Sequence, residues 1–177
     1  MIFTPQSIPG LWLVDLDRKE DERGFFARSF CSEEMAAHGM ATHMPQCSVS
    51  YNRRKHSLRG MHFQKKPHEE AKLIRVTRGA IYDVALDLRR DSPTYLKWQA
   101  FDLRAGDYRQ LYIPEGCAHG FQTLEDDSEV FYQIAIPYNA EASSGARHDD
   151  PAFGIVWPPA PERIIAPRDL SFPAYLP

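Results

Sequence analysis

Residues 72–88, KLIRVTRGAIYDVALDL, contain two runs in which apolar and polar side chains alternate, with Gly79 between them. Alternation with a period of two places successive side chains on opposite faces of a β-strand. Further short runs of this kind, separated by Gly, Pro and Asp, are predicted as strands at residues 11–15, 24–30, 46–52, 57–64, 96–103, 109–114, 119–124 and 129–136. Only residues 32–39, SEEMAAHG, indicate a helix, with Ser32 as its N-cap and Gly39 after its last turn. About ten short strands with no long helices between them predict an all-β sandwich or barrel with one or two short helices.

The composition is that of a chain with one core. Its 177 residues are 43% hydrophobic and 25% charged, which suits one sizeable domain and is short for two. We therefore predict a single domain over residues 1–177, with an irregular, Pro-rich segment that wraps around it from about residue 139. The net charge of -3 and the interspersed signs argue against a nucleic-acid polymer as partner, whereas a single anionic ligand is compatible with them.

The N-terminal residues and the cysteines indicate the cellular compartment in which the protein works. Residues 1–17 have neither a basic region nor a long apolar region, and no stretch approaches the length needed to span a bilayer. Cys31, Cys47 and Cys117 lack CxxC spacing, so we expect neither a disulfide framework nor a zinc site. These features predict a soluble, cytoplasmic protein without a membrane partner.

Several polar side chains share strand faces with apolar ones. The period of two places Lys72 and Tyr132 on apolar faces that would point inward. A tyrosine in a barrel core is often there for packing, but an inward ammonium needs an anionic partner or ligand. Asp83 and Asp87 alternate with apolar residues, so they are either exposed acids or, for Asp83, the inward partner of Lys72. The sequence leaves both interpretations open.

Residues 57–64, SLRGMHFQ, place His62 on a predicted strand. A histidine ring titrates near neutral pH, which makes it an unusual core residue. A lone histidine on a strand is most often a hydrogen-bonded core or surface group. Strict alternation separates Arg59 from His62, but Gly60 lies between them, and a glycine within a strand often marks a bulge. Such a bulge could bring both side chains to one face.

Pro114, Gly116 and His119 follow the order P-x-G-x-x-H, which resembles the second motif of the cupins, small β-barrels of the jelly-roll type. Metal-binding cupins also need two closely spaced histidines and a glutamate from an earlier motif, and here Gln64 stands where a second ligand would be. An amide oxygen is a poor substitute at a transition-metal site. We therefore expect no metal and no cofactor, and keep a metal-dependent cupin enzyme as the alternative.

Seven motifs, in order from DERGFFARSF at residues 21–30 to APRD at residues 166–169, resemble the dTDP-4-dehydrorhamnose 3,5-epimerase family, a cofactor-free branch of the cupins. The motifs between them are LRGMHFQ, AKLIRVTRGAIYDVALDLRRDSPTYLKW, YIPEGCAHGFQTL, EVFYQ and DDPAFGIVWP. The resemblance implies a jelly-roll homodimer that inverts carbons 3 and 5 of a nucleotide-linked 4-keto-6-deoxyhexose, with dTDP as the expected nucleotide, in rhamnose-type deoxysugar biosynthesis. Apolar N-terminal residues such as Ile2 and Phe3 could continue a neighbour's sheet edge.

The resemblance also implies roles for individual residues. His62 matches the proton acceptor, Asp169 the carboxylate paired with it, and Tyr132 the proton donor. Tyr138 matches the ring that stacks on the nucleotide base. The other positions implied to contact substrate are Arg23, Phe26, Gln46, Ser48, Arg59, Lys72, His119 and Arg168.

The chemistry explains why such residues are needed. A proton next to a ketone is a weak acid, so its removal needs a base such as His62 and electrostatic help for the enolate oxygen, which Lys72 suits. Asp169 would orient the His62 ring and stabilise its imidazolium form. Tyr132 would supply a proton from the opposite face, and nearby cationic groups could raise its acidity. Arg23 and Arg59 would clamp the diphosphate through forked hydrogen bonds.

Four positions depart from the residues common in the family. Arg28 and Ser143 stand where Glu is common, Ser48 where Asn is common, and Gln133 where Lys is usual. Because these are mostly binding positions, a different base, a different sugar or inversion at only one carbon stay as alternatives. A catalytically inactive sugar-binding barrel is a third hypothesis, against which the set of base, acid and orienting carboxylate weighs.

Overall fold

Strands dominate the structure, a computed structural model that describes residues 1–176. Within these residues it contains fourteen strands, two short α-helices and one 3-10 turn at Ala105–Asp107. The elements are β1 Ile2–Pro5, β2 Trp12–Asp15, β3 Lys19–Asp21, β4 Gly24–Phe26, α1 Ser32–Ala37, β5 Gln46–Asn52, β6 Ser57–Gln64, β7 Lys72–Arg78, β8 Ala80–Asp87, β9 Trp98–Arg104, β10 Gln110–Ile113, β11 Cys117–Thr123, β12 Ser128–Ile134, β13 Ser143–Gly145, β14 Ile164–Ile165 and α2 Pro167–Leu170.

Two large sheets face each other across the core. The first has the strand order β1-β2-β10-β7-β12-β5, and the second has the order β13-β6-β11-β8-β9, with β14 parallel to β6 at its side. All other pairs in these sheets are antiparallel. Most of the neighbours are distant in sequence, as in a double-sheet jelly roll. The predicted all-β jelly-roll barrel with short helices is confirmed.

The space between the sheets is filled by apolar side chains from the facing strands. Ile74 and Val76 of β7 pack against Phe121 of β11 and Val130 of β12, and each is nearly inaccessible to solvent. Burying a side chain of the size of Phe121 contributes about 2 kcal/mol. Lys72, the first residue of β7, lies two residues before Ile74 on the same face. The interior is therefore polar at the end of the barrel where β7 begins.

Helix α1 covers the outer face of the first sheet. Met35 is fully buried there against Leu73 and Tyr112. The prediction of Ser32 as the N-cap is wrong, because the helix begins at Ser32 and the capping position is Cys31, which makes no side-chain cap. Gly39 follows the helix with φ of 69°, as predicted for a residue after the last turn. No helix within residues 1–176 is long and apolar enough to cross a bilayer.

The segment from residue 139 packs against the second sheet and contains two short strands and a short helix. Phe153 and Trp157 pack on the outer face of that sheet, where Trp157 donates a hydrogen bond to the His148 carbonyl. Strands β13 and β14 pair with the two ends of β6, and α2 follows β14 directly. This path carries Asp169 to the middle of β6.

Asp87 at the end of β8 is fully buried, so its interpretation as an exposed acid is wrong. Its carboxylate accepts hydrogen bonds from the Arg89 guanidinium at 2.8 and 2.9 Å and from the Ser92 and Thr94 hydroxyls at 2.6 Å each. Burial opposes ionisation of Asp87, but the hydrogen bonds from Arg89, Ser92 and Thr94 outweigh it and lower the carboxyl pKa to about 2.

This network predicts a loss of stability in acid. A carboxyl whose pKa is lowered by folding stabilises the protein above its unfolded pKa, and the contribution disappears as pH falls toward the folded pKa. The shift from 3.8 to about 2 corresponds to about 2 kcal/mol at neutral pH. Urea unfolding should show this loss between pH 5 and pH 2, and Asp87→Asn should be less stable at pH 7 with a weaker dependence on pH. An unchanged pH dependence in the variant would contradict this assignment.

Candidate active site

Strand β6 carries the predicted bulge. Its register with β11 shifts between His119 and Phe121, which lie opposite His62 and Arg59, so β6 has one extra residue there. Gly60 has φ of 120°, and a Cβ atom added to it would lie 2.5 Å from the Cα atom of Gly120. The two strands therefore approach closely only because both positions lack a side chain. As predicted, the bulge turns Arg59 and His62 toward a common space.

His62 and Asp169 form a hydrogen-bonded pair. The Nε2 atom of His62 lies 2.8 Å from Asp169 Oδ1, and the Gly60 N–H donates to Asp169 Oδ2 at 3.0 Å. Burial opposes ionisation of Asp169, but the hydrogen bonds from His62 and Gly60 outweigh it and hold its pKa below the ordinary value. An ionised carboxylate can only accept hydrogen bonds, so the nitrogen that faces it must carry a hydrogen. The pairing therefore assigns the hydrogen to Nε2 and leaves Nδ1 able to take a proton.

Two cavities meet at this pair. The small cavity, of about 300 Å³, lies between the sheets, and the large cavity, of about 730 Å³, lies beside the turn between β5 and β6. Arg59, His62 and Arg168 line both, so the two spaces communicate. The small cavity is also lined by Ser48, Val49, Ser50, Phe63, Gln64, Glu70, Lys72, His119, Tyr132, Ile134, Tyr138 and Ser143, and the large one by Tyr51, Asn52, Arg53, Arg54, Ser57, Leu58, Ile164, Ile165, Ala166 and Asp169.

Tyr132 borders the small cavity from β12, on the sheet opposite His62. Its ring meets the His119 ring edge to face, with 5.9 Å between the centroids. Burial raises the pKa of Tyr132 and the Asp83 charge raises it further, against a smaller opposing effect of Arg59. The expected effect of a cationic neighbour is present, from Arg59, but burial and Asp83 outweigh it. The phenol keeps its proton at neutral pH.

Asp83 points inward, but its partner is His119 and not Lys72. Asp83 Oδ2 lies 2.8 Å from His119 Nε2, and both side chains are almost completely buried. Asp83 Oδ1 has no hydrogen-bond partner within the described part of the chain. Because His119 stands directly opposite His62 in the β6–β11 register, the site contains two His–Asp pairs whose histidines lie on neighbouring strands.

The anionic partner of Lys72 is Glu70, which sequence reasoning did not single out. Lys72 Nζ lies 2.9 Å from Glu70 Oε1. Gln64, which stands where a metal-binding cupin has a ligand, donates its amide to Glu70 Oε2 at 3.0 Å. Across residues 1–176, no group of three or more His, Cys, Asp and Glu side chains is arranged to hold a metal ion.

Most of the predicted binding residues meet at the small cavity. Gln46 reaches it indirectly, because its side-chain oxygen accepts a hydrogen bond from the Tyr138 N–H at 2.9 Å. Arg23 and Phe26 line neither the small nor the large cavity. They lie on the β3–β4 hairpin, which forms a two-stranded sheet of its own, with Arg23 paired to Asp21 and Phe26 79% exposed. Both predicted contacts are thus absent within one chain, because the hairpin joins neither large sheet.

The four unusual positions divide into two groups. Ser48 and Ser143 line the small cavity, and the Ser143 hydroxyl accepts a hydrogen bond from Arg168 at 2.8 Å. Arg28 pairs with Glu34 of α1, away from both cavities. Gln133 alternates with the inward Tyr132 and so lies on the outer face of its sheet. Only the two serines can contact a ligand in the small cavity.

The chain resembles one family over nearly its whole length. Residues 5–176 match the family described as dTDP-4-dehydrorhamnose 3,5-epimerase. A dTDP-4-dehydrorhamnose 3,5-epimerase from Sinorhizobium fredii is 37% identical over 174 residues, which cover 98% of this chain and 89% of that protein.

Solved structures give the same result. A dTDP-4-dehydrorhamnose 3,5-epimerase from Bacillus anthracis, solved with TDP and PPi bound, superposes with a TM-score of 0.92 at 37% identity, over 98% of this chain and 99% of that one. ChmJ, a 3'-monoepimerase from Streptomyces bikiniensis solved in complex with dTDP-quinovose, superposes with a TM-score of 0.87 at 30% identity, over 96% and 86% of the two chains.

Proposed function

Since the chain belongs to the dTDP-4-dehydrorhamnose 3,5-epimerase family and is a sugar epimerase of deoxysugar biosynthesis, we propose that it inverts carbon 3, carbon 5 or both of a dTDP-linked 4-keto-6-deoxyhexose. The observation that carries this proposal is that His62 and Tyr132 border one small cavity from opposite sheets. Inversion of a carbon needs proton removal on one face and proton delivery on the other.

His62 is the proposed base. With Nε2 bound to Asp169 at 2.8 Å, Nδ1 takes the proton from the carbon next to the ketone, and the carboxylate stabilises the resulting imidazolium. Lys72 supplies positive charge for the enolate oxygen that forms. Tyr132, whose raised pKa keeps it protonated, then delivers its proton to the opposite face.

Cationic side chains support a nucleotide-linked substrate. Arg59 and Arg168 lie at the boundary of the two cavities, where their guanidinium groups can bind a diphosphate through forked hydrogen bonds. Tyr138 is 58% exposed at the same cavity and offers its ring to a base. The TDP bound to the Bacillus anthracis enzyme supports dTDP as the nucleotide.

Inversion at carbon 3 alone is the second candidate. It is favoured by the similarity to the 3'-monoepimerase ChmJ and by Ser48 and Ser143, which line the small cavity in place of the residues common in the family. Incubation in deuterated buffer distinguishes inversion at carbon 3 alone from inversion at both carbons, because deuterium enters each carbon from which a proton is removed.

The proposed function predicts catalysis without an added cofactor. Purified protein incubated with dTDP-4-keto-6-deoxyglucose in deuterated buffer should label carbon 3, carbon 5 or both, and pretreatment with EDTA should leave the rate unchanged. Gln64 supports this expectation, because its amide is engaged with Glu70. Stoichiometric iron, manganese or zinc in the protein, with loss of turnover on its removal, would favour the metal-dependent cupin enzyme.

A homodimer is the proposed assembly, and it gives the β3–β4 hairpin a role. Arg23 and Phe26 are exposed on this hairpin and line neither the small nor the large cavity of their own chain, so we propose that they enter the partner's site. The extent of the domain over residues 1–177 and the cytoplasmic location stay predictions.

Light scattering should therefore give twice the 20.3 kDa chain mass, and two inactive variants should complement each other. In mixed dimers of Arg23→Ala and His62→Asn, one of the two sites regains both side chains, so random mixing should restore about a quarter of wild-type activity. A 20.3 kDa species at micromolar concentration, or no recovery on mixing, would count against the dimer.

A further inference from the structure

We propose that Glu70 is a positioning residue, which holds the Lys72 ammonium charged and aimed into the small cavity; this inference rests on the proposed function. Glu70 is separated from Lys72 by a single residue at the start of β7. In an extended chain, residues two apart project to the same side, so both side chains reach the same cavity.

The ion pair is shielded from solvent. Lys72 Nζ and Glu70 Oε1 are 2.9 Å apart, and the two side chains are only 7% and 11% exposed. Water screens such a pair little, and an ammonium in this position needs an anion to remain charged. Asp83, the other inward acid, is engaged with His119, which makes Glu70 the carboxylate in contact with Lys72.

The second oxygen of Glu70 is held as firmly as the first. Gln64 Nε2 donates to Glu70 Oε2 at 3.0 Å and to the His68 carbonyl at 3.1 Å. Gln64 Oε1 accepts from the Asn139 N–H at 2.7 Å, and Gln64 is itself 4% exposed. A carboxylate fixed at both oxygens cannot rotate away, so it fixes the direction of the ammonium that it binds.

This arrangement leaves Lys72 free to act. An ammonium has three hydrogens, and one bond to Glu70 leaves two for the enolate oxygen of a bound keto sugar. Without Glu70, the buried Lys72 ammonium would have no carboxylate in contact with it. The other titratable or charged groups facing this space or lying close to Lys72 are Arg59, His62, Asp83, Cys117, His119, Tyr132, Tyr138 and Arg168.

Glu70→Gln keeps the shape of the side chain and removes its charge. We expect kcat for epimerisation to fall at least tenfold with KM within about threefold of wild type, and the alkaline limb of the rate–pH profile to move to lower pH. Glu70→Asp keeps the charge and should recover part of the loss. Glu69→Gln is the matched control, because Glu69 is the neighbouring acid and does not line the small cavity.

The protonation of Lys72 can also be measured in the absence of substrate. In protein labelled with 13C at lysine Cε, the Lys72 signal, identified by its absence in Lys72→Met, should titrate at lower pH in Glu70→Gln than in wild type. An unchanged titration, or wild-type kcat in Glu70→Gln, overturns the proposal.

If wild-type protein turns over no keto sugar nucleotide, the proposed function fails while the lysine titration still tests Glu70. If Glu70→Gln does not fold, Gln64→Leu releases the carboxylate instead, and wild-type kcat in that variant overturns the proposal.

Discussion

His62→Asn is expected to lower deuterium incorporation into the keto sugar by 10²- to 10⁴-fold, about the range attributed to a positioned general base. The Gly60 N–H still donates to Asp169 after this change, so the buried carboxylate keeps a partner and the fold is preserved. It has no nitrogen that can take a proton from carbon. Mass spectrometry of the sugar nucleotide after incubation in deuterated buffer measures the effect.

His43→Asn is the matched control, because His43 is exposed and lies outside both cavities. It should label substrate at the wild-type rate. Unchanged exchange in His62→Asn would remove His62 from the role of base. Its hydrogen bond to Asp169 would then be that of an ordinary strand histidine.

Tyr132→Phe should separate exchange from inversion. The change removes one hydroxyl and keeps the ring against His119, so packing is retained. His62 can still remove and return a proton on its own face, so solvent deuterium should enter one or both carbons. Inverted product should fall by about 10²- to 10⁴-fold, the range attributed to a positioned acid.

Tyr82→Phe provides the comparison, since it removes a hydroxyl that bonds the Val156 carbonyl outside both cavities. It should leave inversion unchanged. Full epimerisation by Tyr132→Phe would show that another group delivers the proton, and Tyr132 would then be a packing residue. In the wild type, label at carbon 3 alone would mean a mono-epimerase.

The long strands could be predicted from the sequence because seven or eight residues are enough for an alternation of apolar and polar residues to be recognised. The predicted runs at residues 46–52 and 57–64 coincide with β5 and β6. The strands that were not predicted are β1, β3, β13 and β14, of two to four residues each. Such short segments carry too little periodicity, and they are strands only because a partner distant in sequence pairs with them.

The candidate site could be predicted only in part. The closeness of His62 and Asp169, 107 residues apart in sequence, was implied by family resemblance, since no local pattern reveals it. Alternation correctly placed Lys72 on an inward face and left Asp83 open, and it could not identify the partner of either residue, because pairing depends on which strands are neighbours. Glu70 lies before β7, where no alternation of its own marks it as inward.

The close approach of Gly60 and Gly120 has a consequence for how this enzyme can diversify. A Cβ at Gly60 would lie 2.5 Å from the Gly120 Cα, and one at Gly120 would lie 2.8 Å from the Arg59 carbonyl. Any side chain at either position would push apart the strands that carry the proposed base. Ser48 and Ser143, on β5 and β13, line the small cavity instead. Variant libraries that aim at new sugar substrates should therefore vary the two serines, where substitution is expected to be tolerated. They should keep the two glycines constant, because substitution there is expected to disrupt the strands.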